Sequence, residues 1–175
     1  DNKDLDVMAT DWLIADGDVD TRNLAGELKN FPTDNSQWIS GHINNALNFD
    51  GVDDYVHIEG PYLKGLTSMS ITAWVRQTVA NQYTSIVTSR EPTCGDDAAE
   101  LGIYDKGELG YDWSCGTEEW KFASGLVVPT DNTWTFVALT VVPAGGTLYM
   151  RPAGGSLGSA TVSYTHLTLP TNREV

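Results

Sequence analysis

The residues with the clearest chemical potential are Asp50, Asp53 and Asp54, in the stretch NALNFDGVDDYVHI at residues 45–58. Carboxylates this close together are typical of a metal site, an acid–base pair or a turn that needs side-chain oxygens. The Asp-Gly step at its centre lies between two runs of strand composition. Glycine there supplies a positive φ, and an aspartate oxygen accepts hydrogen bonds from nearby backbone N–H groups. We therefore predict a turn in preference to a metal site, and no acid–base role.

Catalytic motifs are missing from the sequence, which contains no G-x-S-x-G, no H-E-x-x-H and no phosphate-binding glycine loop. A glycosidase built on a β-sandwich needs two carboxylates that project into one groove, and no E-x-D-x-E pattern supplies them. Glu118 and Glu119 are adjacent, so on a strand they would point to opposite faces. His42 and His57 have no cysteine or acid at nucleophile or ligand spacing. We predict that the protein is not an enzyme; the alternative is a polysaccharide-active glycoside hydrolase or lyase.

The two cysteines, Cys94 and Cys115, are too few for a thiolate zinc site and are not spaced as C-x-x-C. Between them, AELGIYDKGELGYDW has the pattern of a β-hairpin with Asp105 opposite Glu108 across a Lys-Gly turn. This register puts the cysteines near the open end of the hairpin, where a disulfide would close a loop of about 20 residues and stabilise the fold by roughly 3 kcal/mol. We favour the disulfide, and with it an oxidising compartment, over two unrelated thiols.

The balance of charge excludes several classes of partner. Twenty-four acidic against ten basic residues give a formal net charge of −14 and a pI near 4.3. Nucleic acids and anionic membranes bind basic surfaces, so we expect neither as a partner. An acidic surface is compatible with calcium, which takes carboxylate and carbonyl oxygens. No apolar run approaches the ~20 residues needed to cross a bilayer, so we expect no membrane insertion.

Residues 1–15 have the apolar periodicity of a short helix. The stretch also resembles the end of a dockerin-like calcium repeat, in which Asp1 and Asp4 would be the last two ligands. Two carboxylates cannot hold a six-coordinate calcium, so we expect this remnant to be empty. The alternative is an ordinary helix with acidic residues at its start. The chain begins at Asp1 without a methionine, and we expect the true N-terminus to lie upstream. The predicted apolar face comprises Leu5, Met8, Ala9, Trp12 and Leu13.

From residue 16 onward the composition is that of an all-β chain. Short runs rich in β-branched and aromatic residues are separated by Gly, Pro, Asn and Asp clusters, the spacing of a sandwich or barrel. We predict strands at residues 46–50, 55–58, 68–76, 84–89, 100–105, 108–113, 120–123, 134–142 and 146–151.

Two of these strands differ in how their residues alternate. In SMSITAWVR, residues 68–76, apolar residues alternate with polar ones, and the polar face also carries Trp74. A tryptophan on such a face could line a sugar-binding groove, although packing against other parts of the protein is the alternative. WTFVALTVV, residues 134–142, is apolar on both faces and predicts a central strand that is covered on two sides.

The last segment, residues 162–175, departs from the rhythm of turns and strands. VSYTHLTLPT, residues 162–171, resembles the translation of a transposon-end adapter used in shotgun sequencing libraries, which indicates a gene assembled from metagenomic reads. The alternative is an ordinary threonine-rich strand. We predict a non-native tail and give no functional weight to His166 or to other residues beyond Thr161.

Three stretches carry a family resemblance: GHINNALNFDGVDDYVHI, SMSITAWVR and WKFASGLVVPTDNTWTFVALTVVPAGGTLYMR. They match the pattern G-x-A-L-x-F-D-G-x-D-D-Y-V, then I-x-A-W-V, then W-x-x-V-A-L-T with a following L-Y strand. On these residues the chain resembles a laminin G-like domain of the concanavalin A-like jelly-roll group, over residues 18–151. The opening strand of the family is shortened here to DWLIADGDVD, and the strands that follow L-Y are replaced by the tail. We therefore predict a C-terminally truncated sandwich at residues 16–161, with an open sheet edge.

The resemblance implies an all-β fold, an antiparallel β-sandwich of the concanavalin A-like jelly-roll type, with the short N-terminal helix as an addition. It implies a non-catalytic module of a bacterial secreted or cell-surface multidomain protein that binds a glycan or an extracellular protein. Many members bind calcium, and Asp18 and Asp20 map onto the ligand loop. A structural spacer without a ligand is the alternative.

Aromatic side chains that could stack on sugar rings are the candidate ligand-binding residues. Each of them could instead fill the core of the sandwich. The candidates are Trp74, Tyr104, Tyr111, Trp113 and Trp120.

Overall fold

The computed structural model describes residues 5–7, 15–16, 18–19, 26–59, 66, 68–79, 83–90, 97–113, 118–120 and 124–163, with side chains at residues 26–59, 66, 68–79, 83–89, 99–112 and 124–162. These residues form strands and one 3-10 turn, Asp105–Gly107. In chain order the strands are β1 Leu5–Val7, β2 Ala15–Asp16, β3 Asp18–Val19, β4 Gly26–Lys29, β5 Trp38–Ser40, β6 Asn45–Leu47, β7 Tyr55–Ile58, β8 Met69–Gln77, β9 Thr84–Arg90, β10 Asp97–Ile103, β11 Leu109–Trp113, β12 Glu118–Trp120, β13 Thr135–Val142, β14 Gly145–Pro152 and β15 Gly158–Ser163.

Two antiparallel sheets form the sandwich. The larger sheet has seven strands in the order β15-β14-β13-β8-β1-β6-β5, and the smaller has four in the order β12-β11-β10-β9. The pairs β4–β7 and β2–β3 form two further short ladders. Strand β13 lies beside β8, which is far from it in sequence, so the chain reaches β13 through a crossover connection. The antiparallel all-β architecture confirms the predicted concanavalin A-like sandwich.

The core lies between the two sheets because each strand turns alternate residues toward the other sheet. Strand β8 contributes Ile71 and Val75, at 2% and 0% exposure, and the small sheet contributes Leu101 and Ile103, both at 0%. Tyr111 crosses from β11 to the large sheet, where its ring is so close to Gly146 that a Cβ there would lie 2.7 Å from the phenol oxygen. Burial of these apolar surfaces, at about 25 cal/mol per Å², is the main force that holds the sheets together.

The β10–β11 hairpin confirms the predicted turn but corrects its register. Lys106 and Gly107 both have positive φ, 59° and 75°, as a reversal at a Lys-Gly step requires. The N–H of Tyr104 donates to the carbonyl of Glu108, so Asp105 does not face Glu108 as predicted. The reason is the three-residue 3-10 turn, which adds one residue to the loop and shifts every cross-strand pair by one position.

All nine predicted strands overlap a strand of the structure, but the predicted helix at residues 1–15 is wrong where the structure describes it. Leu5–Val7 is strand β1, between β8 and β6. Pairing with two neighbouring strands outweighs a local helical periodicity, because propensity is weak beside tertiary context. The rest of the predicted helix, with Asp1 and Asp4, lies outside the described residues.

The C-terminal half of the large sheet differs from the prediction in the coverage of β13 and in an additional strand, β15. Strand β13 lies between β14 and β8, as predicted for a central strand, but Val142 on its second face is 49% exposed, so the strand is only partly covered. Strand β15 was not predicted, and it runs across the proposed boundary between residues 161 and 162. It forms one edge of the large sheet. No described segment is a helix long and apolar enough to span a membrane.

Candidate functional site

The outer face of the large sheet, on the side away from the core, carries a group of aromatic rings. The pleat of β8 buries Ala73 and Val75, so Trp74 between them projects outward and is half-buried. Antiparallel pairing places Phe136 of β13 directly opposite Trp74. Tyr149 of β14, opposite Ala138, projects on the same side and is also half-buried. We call Trp74, Phe136, Tyr149 and the outward residues beside them the aromatic face.

The rings of this face contact one another in defined geometries. Trp74 and Phe136 make an edge-to-face contact, with centroids 5.7 Å apart and planes at 63°. The ring of the exposed His42, from the β5–β6 loop, stacks on the Trp74 indole at 3.6 Å and 23°. The imidazole therefore covers part of the Trp74 indole.

Hydroxyl groups continue the aromatic face along the same strands. Thr72 of β8 and Thr140 of β13 point outward and are half-buried, because their neighbours along each strand point inward. Thr147 of β14 and Thr161 of β15 are cross-strand partners whose Oγ1 atoms lie 3.0 Å apart. The face therefore combines flat apolar rings with groups that both donate and accept hydrogen bonds.

The structure places only one predicted aromatic ligand residue, Trp74, on this face. Tyr104 and Tyr111 are instead buried, at 3% and 0% exposure, in the core-filling positions that were the stated alternative. Tyr111 fills the core because it lies two residues after Leu109, on the same face of β11, and Tyr104 packs edge-to-face against Tyr83 at 6.0 Å. Trp113 and Trp120 belong to β11 and β12, and their side chains lie outside the described part of the chain.

Sequence reasoning missed Phe136, Tyr149 and the contact of His42 with Trp74. A signal existed for Phe136: it occupies an outward position of β13 if Val137 and Leu139 point inward. Its proximity to Trp74 depends on the β8–β13 register, which joins residues about sixty positions apart and has no local signature.

The Asp50 corner, which we define as Asp50, Gly51, Asp53 and Asp54, is built as a turn. The Asp50 carboxylate accepts a hydrogen bond from the N–H of Val52 at 2.7 Å and a longer one from that of Asp53 at 3.3 Å. Gly51 has φ of 70°, the conformation that the sequence pattern predicts for it. In turn, the Asp50 N–H donates to Asp54 Oδ2 at 2.9 Å. These hydrogen bonds agree with the predicted turn.

The same corner has the geometry of a cation site among the described residues. One carboxylate oxygen from each of Asp50, Asp53 and Asp54 lies within 4.8 Å of the others. Burial raises the pKa of Asp54 and its bond from the Asp50 N–H opposes the rise, while the neighbouring charges of Asp50 and Asp53 add to it. Carboxylate oxygens of Asp50 and Asp54 accept the hydrogen bonds of the turn, so we assign this cluster to the turn.

The residues predicted to bind calcium or form a disulfide cannot be compared with the structure in the same way. Asp18 begins strand β3, with Asp16 as its cross-strand partner, and the structure does not describe its side chain. Asp20, Cys94 and Cys115 lie outside the described residues. Calcium at Asp18 and Asp20 and the Cys94–Cys115 disulfide therefore stay predictions.

A pair of carboxylates lies on the small sheet, on the side away from the core. Glu100 of β10 and Asp112 of β11 are directly opposite each other, and both are buried, at 7% and 3% exposure. Glu100 accepts a hydrogen bond from the hydroxyl of Ser85 at 2.7 Å, and both carboxylates make further interactions. In this arrangement the pair is enclosed by protein and is not presented to a polymer substrate.

The geometry agrees with the comparison against protein families. A laminin G-type family model, described as the concanavalin A-like lectin/glucanases superfamily, matches residues 50–171. The match begins inside the Asp50 corner and includes strands β7 to β15, more than half of the chain. It also runs through most of the predicted non-native tail, which stays a prediction, as does the dockerin-like remnant. Searches of curated proteins and of solved structures find no match. The chain belongs to the concanavalin A-like lectin/glucanases superfamily, through a laminin G-type domain.

Proposed function

We propose that this domain is a non-catalytic glycan-binding module and that the aromatic face is its binding surface. The observation that carries the proposal is the side-by-side placement of Trp74 and Phe136, half-buried, on the sheet face away from the core. A core position would bury both rings completely, and an isolated surface ring would lack the neighbour. A sugar ring has apolar C–H faces and polar edges, and it matches flat rings bordered by hydroxyl groups.

The chemistry of the face explains how a sugar would be held. Rings such as Trp74, Phe136 and Tyr149 present apolar surface to the C–H face of a pyranose, with two χ angles each to be ordered. Thr72 and Thr140 can then exchange hydrogen bonds with the sugar hydroxyls. His42 already covers part of the Trp74 indole, so a ligand on that side replaces the imidazole or stacks beside it.

The charged groups of the four strands β8, β13, β14 and β15 support binding over catalysis. Their sequences contain no aspartate and no glutamate. Hydrolysis of a glycosidic bond needs an acid and a second carboxylate on either side of the bond, and these strands offer neither. For the alternative, a glycoside hydrolase or lyase, the carboxylates that face each other in the described part of the small sheet are Glu100 and Asp112, and protein encloses both.

The proposal includes location and the type of partner. Laminin G-like domains are typically extracellular. The predicted disulfide and the acidic surface agree with a secreted or cell-surface setting. An extracellular protein ligand and a spacer role without any ligand are the competing functions, and both predict that the aromatic face makes no measurable contribution to glycan binding.

Affinity electrophoresis through gels that contain different polysaccharides, followed by calorimetry on the best ligand, tests the proposal. We expect Trp74→Thr, which keeps a β-branched residue on the outer face of β8, to weaken binding about tenfold or more. Trp38→Thr is the matched control, because Trp38 is 41% exposed on the edge strand β5, away from Phe136. Equal affinity of the two variants, with both folded by circular dichroism, would contradict the proposal.

The enzyme alternative has its own test. Incubation of the protein with the polysaccharide it binds should release no reducing ends, as a hydrolase would. It should also form no unsaturated product with ultraviolet absorbance, as a lyase would. Activity lost in Glu100→Gln but kept in Ser85→Ala would move the functional site to the small sheet.

A further inference from the structure

The aromatic face reverses the charge balance of the rest of the protein. The chain as a whole has a net charge of −14. Strands β8, β13, β14 and β15 nevertheless contain no carboxylate side chain, and their charged residues are Arg76 and Arg151. We infer that the ligand of the aromatic face is an acidic glycan, one whose sugar rings carry a carboxylate or a sulfate. This inference rests on the proposed glycan-binding function and specifies the class of sugar.

Arg151 is the residue best placed to take the acidic group. It lies directly opposite Phe136 across the β13–β14 ladder, so both side chains are on the outer face. Its side chain is exposed, and the structure gives it no ion pair with any other described residue. A pyranose stacked on Phe136 would thus place a substituent of the ring within reach of a guanidinium that can bind a planar carboxylate with two parallel hydrogen bonds.

Arg76 also lies at this end of the face, where Asp6 of β1 is its cross-strand partner. It projects outward two residues after Trp74 on β8, and its guanidinium carbon lies 4.8 Å from the centre of the Trp134 ring. This cation–π contact fixes the guanidinium on the sheet surface. Because Asp6 lies opposite Arg76, Arg151 of β14 is the cation placed to meet an acidic group beside Phe136.

The distribution of charge makes two opposing electrostatic contributions to the affinity for an acidic glycan. The acidic remainder of the protein repels a polyanion at long range, and the attraction to the arginines acts at short range. At about 0.15 M salt the screening length is about 8 Å, so the distant repulsion is damped more than a contact between guanidinium and carboxylate. A neutral sugar would not use the guanidinium of Arg151 opposite Phe136.

The test compares three polymers in affinity gels and calorimetry: a polyuronate, a sulfated polysaccharide of neutral sugars, and a neutral polysaccharide. We expect the wild-type protein to prefer one of the two acidic polymers over the neutral one, and the preferred polymer identifies the acidic group as carboxylate or sulfate. We expect Arg151→Gln to weaken binding of that polymer about tenfold. The matched control is Lys106→Gln, which removes one exposed cation at the β10–β11 turn, away from the aromatic face.

The possible outcomes separate this inference from the proposed function. Preferential binding of the neutral polymer, weakened by Trp74→Thr but not by Arg151→Gln, would overturn the acidic-glycan inference and keep the glycan-binding function. Equal losses in Arg151→Gln and Lys106→Gln would also overturn it, because binding would then follow net charge alone. A folded wild-type protein that binds none of the three polymers would count against the proposed function itself.

Discussion

The Asp50 corner gives the sharpest prediction, because the structure separates two carboxylates that look equivalent in the sequence. The Asp50 side chain accepts hydrogen bonds from two backbone N–H groups, those of Val52 and Asp53. The Asp53 side chain makes no hydrogen bond to a described residue; its backbone carbonyl instead accepts one from the Asn30 amide at 2.8 Å. Asp50→Ala therefore removes the side-chain hydrogen bonds of the turn, and Asp53→Ala keeps them.

The expected loss of stability for Asp50→Ala follows from those two contacts. The corner is exposed, so water can satisfy the freed N–H groups and no buried donor is left without a partner. Each bond is then worth about 0.5–1 kcal/mol, and the pair about 1–2 kcal/mol, similar to the loss of a helix-capping aspartate. For a domain of this size that corresponds to a decrease in Tm of roughly 2–8 °C. Asp53→Ala should change the free energy of unfolding by less than about 0.5 kcal/mol.

The assay is thermal and urea unfolding of the wild type and both variants, followed by circular dichroism, first with a chelator and then with calcium. A turn predicts that Asp50→Ala is the less stable variant in both buffers and that calcium leaves all three transitions unchanged. A metal site predicts the opposite pattern. If calcium raises the Tm of the wild type, and both substitutions abolish that increase equally, the three carboxylates bind a cation and our assignment to the turn is wrong.

Three further predictions test the packing and the electrostatics. Because the pKa of Asp54 is raised in the folded state, the folded protein binds this proton more tightly than the unfolded chain does, and stability is lost as the pH rises through the folded pKa. Asp54→Asn should therefore raise the Tm at neutral pH. The gain should vanish near pH 3, which thermal unfolding at the two pH values would measure. Leu139→Ala should lower the free energy of unfolding in urea by about 2–5 kcal/mol, and the matched Val142→Ala by under about 1 kcal/mol, because the two residues lie on the buried and the exposed face of β13. Equal losses would contradict the assigned faces. Gly146→Ala should cost about 1–3 kcal/mol by overpacking against Tyr111, and a double-mutant cycle with Tyr111→Leu should show coupling; additive costs would place the clash elsewhere.

Features set by neighbouring residues could be predicted from the sequence. The alternation of Met69, Ile71, Ala73 and Val75 correctly identified the buried face of β8, and therefore the outward position of Trp74. The Asp-Gly corner and the Lys-Gly hairpin were also predictable, because glycine and the residue before it define the backbone geometry of a turn within a few positions.

Features that depend on distant pairing could not be predicted. Leu5–Val7 satisfies a helical pattern with the residues after it, yet it is a strand between two others in the large sheet. The aromatic face likewise requires β8 and β13 to be neighbours in one particular register. Local propensity contains no information about either, because it is the packing of whole strands that decides which partner is best.

The carboxylates Glu100 and Asp112 show how much depends on a single position of register. With Asp105 opposite Glu108, as the sequence predicted, Glu100 would lie opposite Trp113, and Asp112 opposite Leu101. The 3-10 turn shifts the ladder by one residue and brings the two acids face to face. The aromatic and aliphatic residues next to them on each strand then point toward the core. A search for acids at alternate positions of one strand cannot find such a pair, because its members are on two strands and meet only in the folded sheet. The absence of an E-x-D-x-E motif was therefore a weak argument against catalysis, because it could not find this pair, both of whose members are buried in the folded sheet.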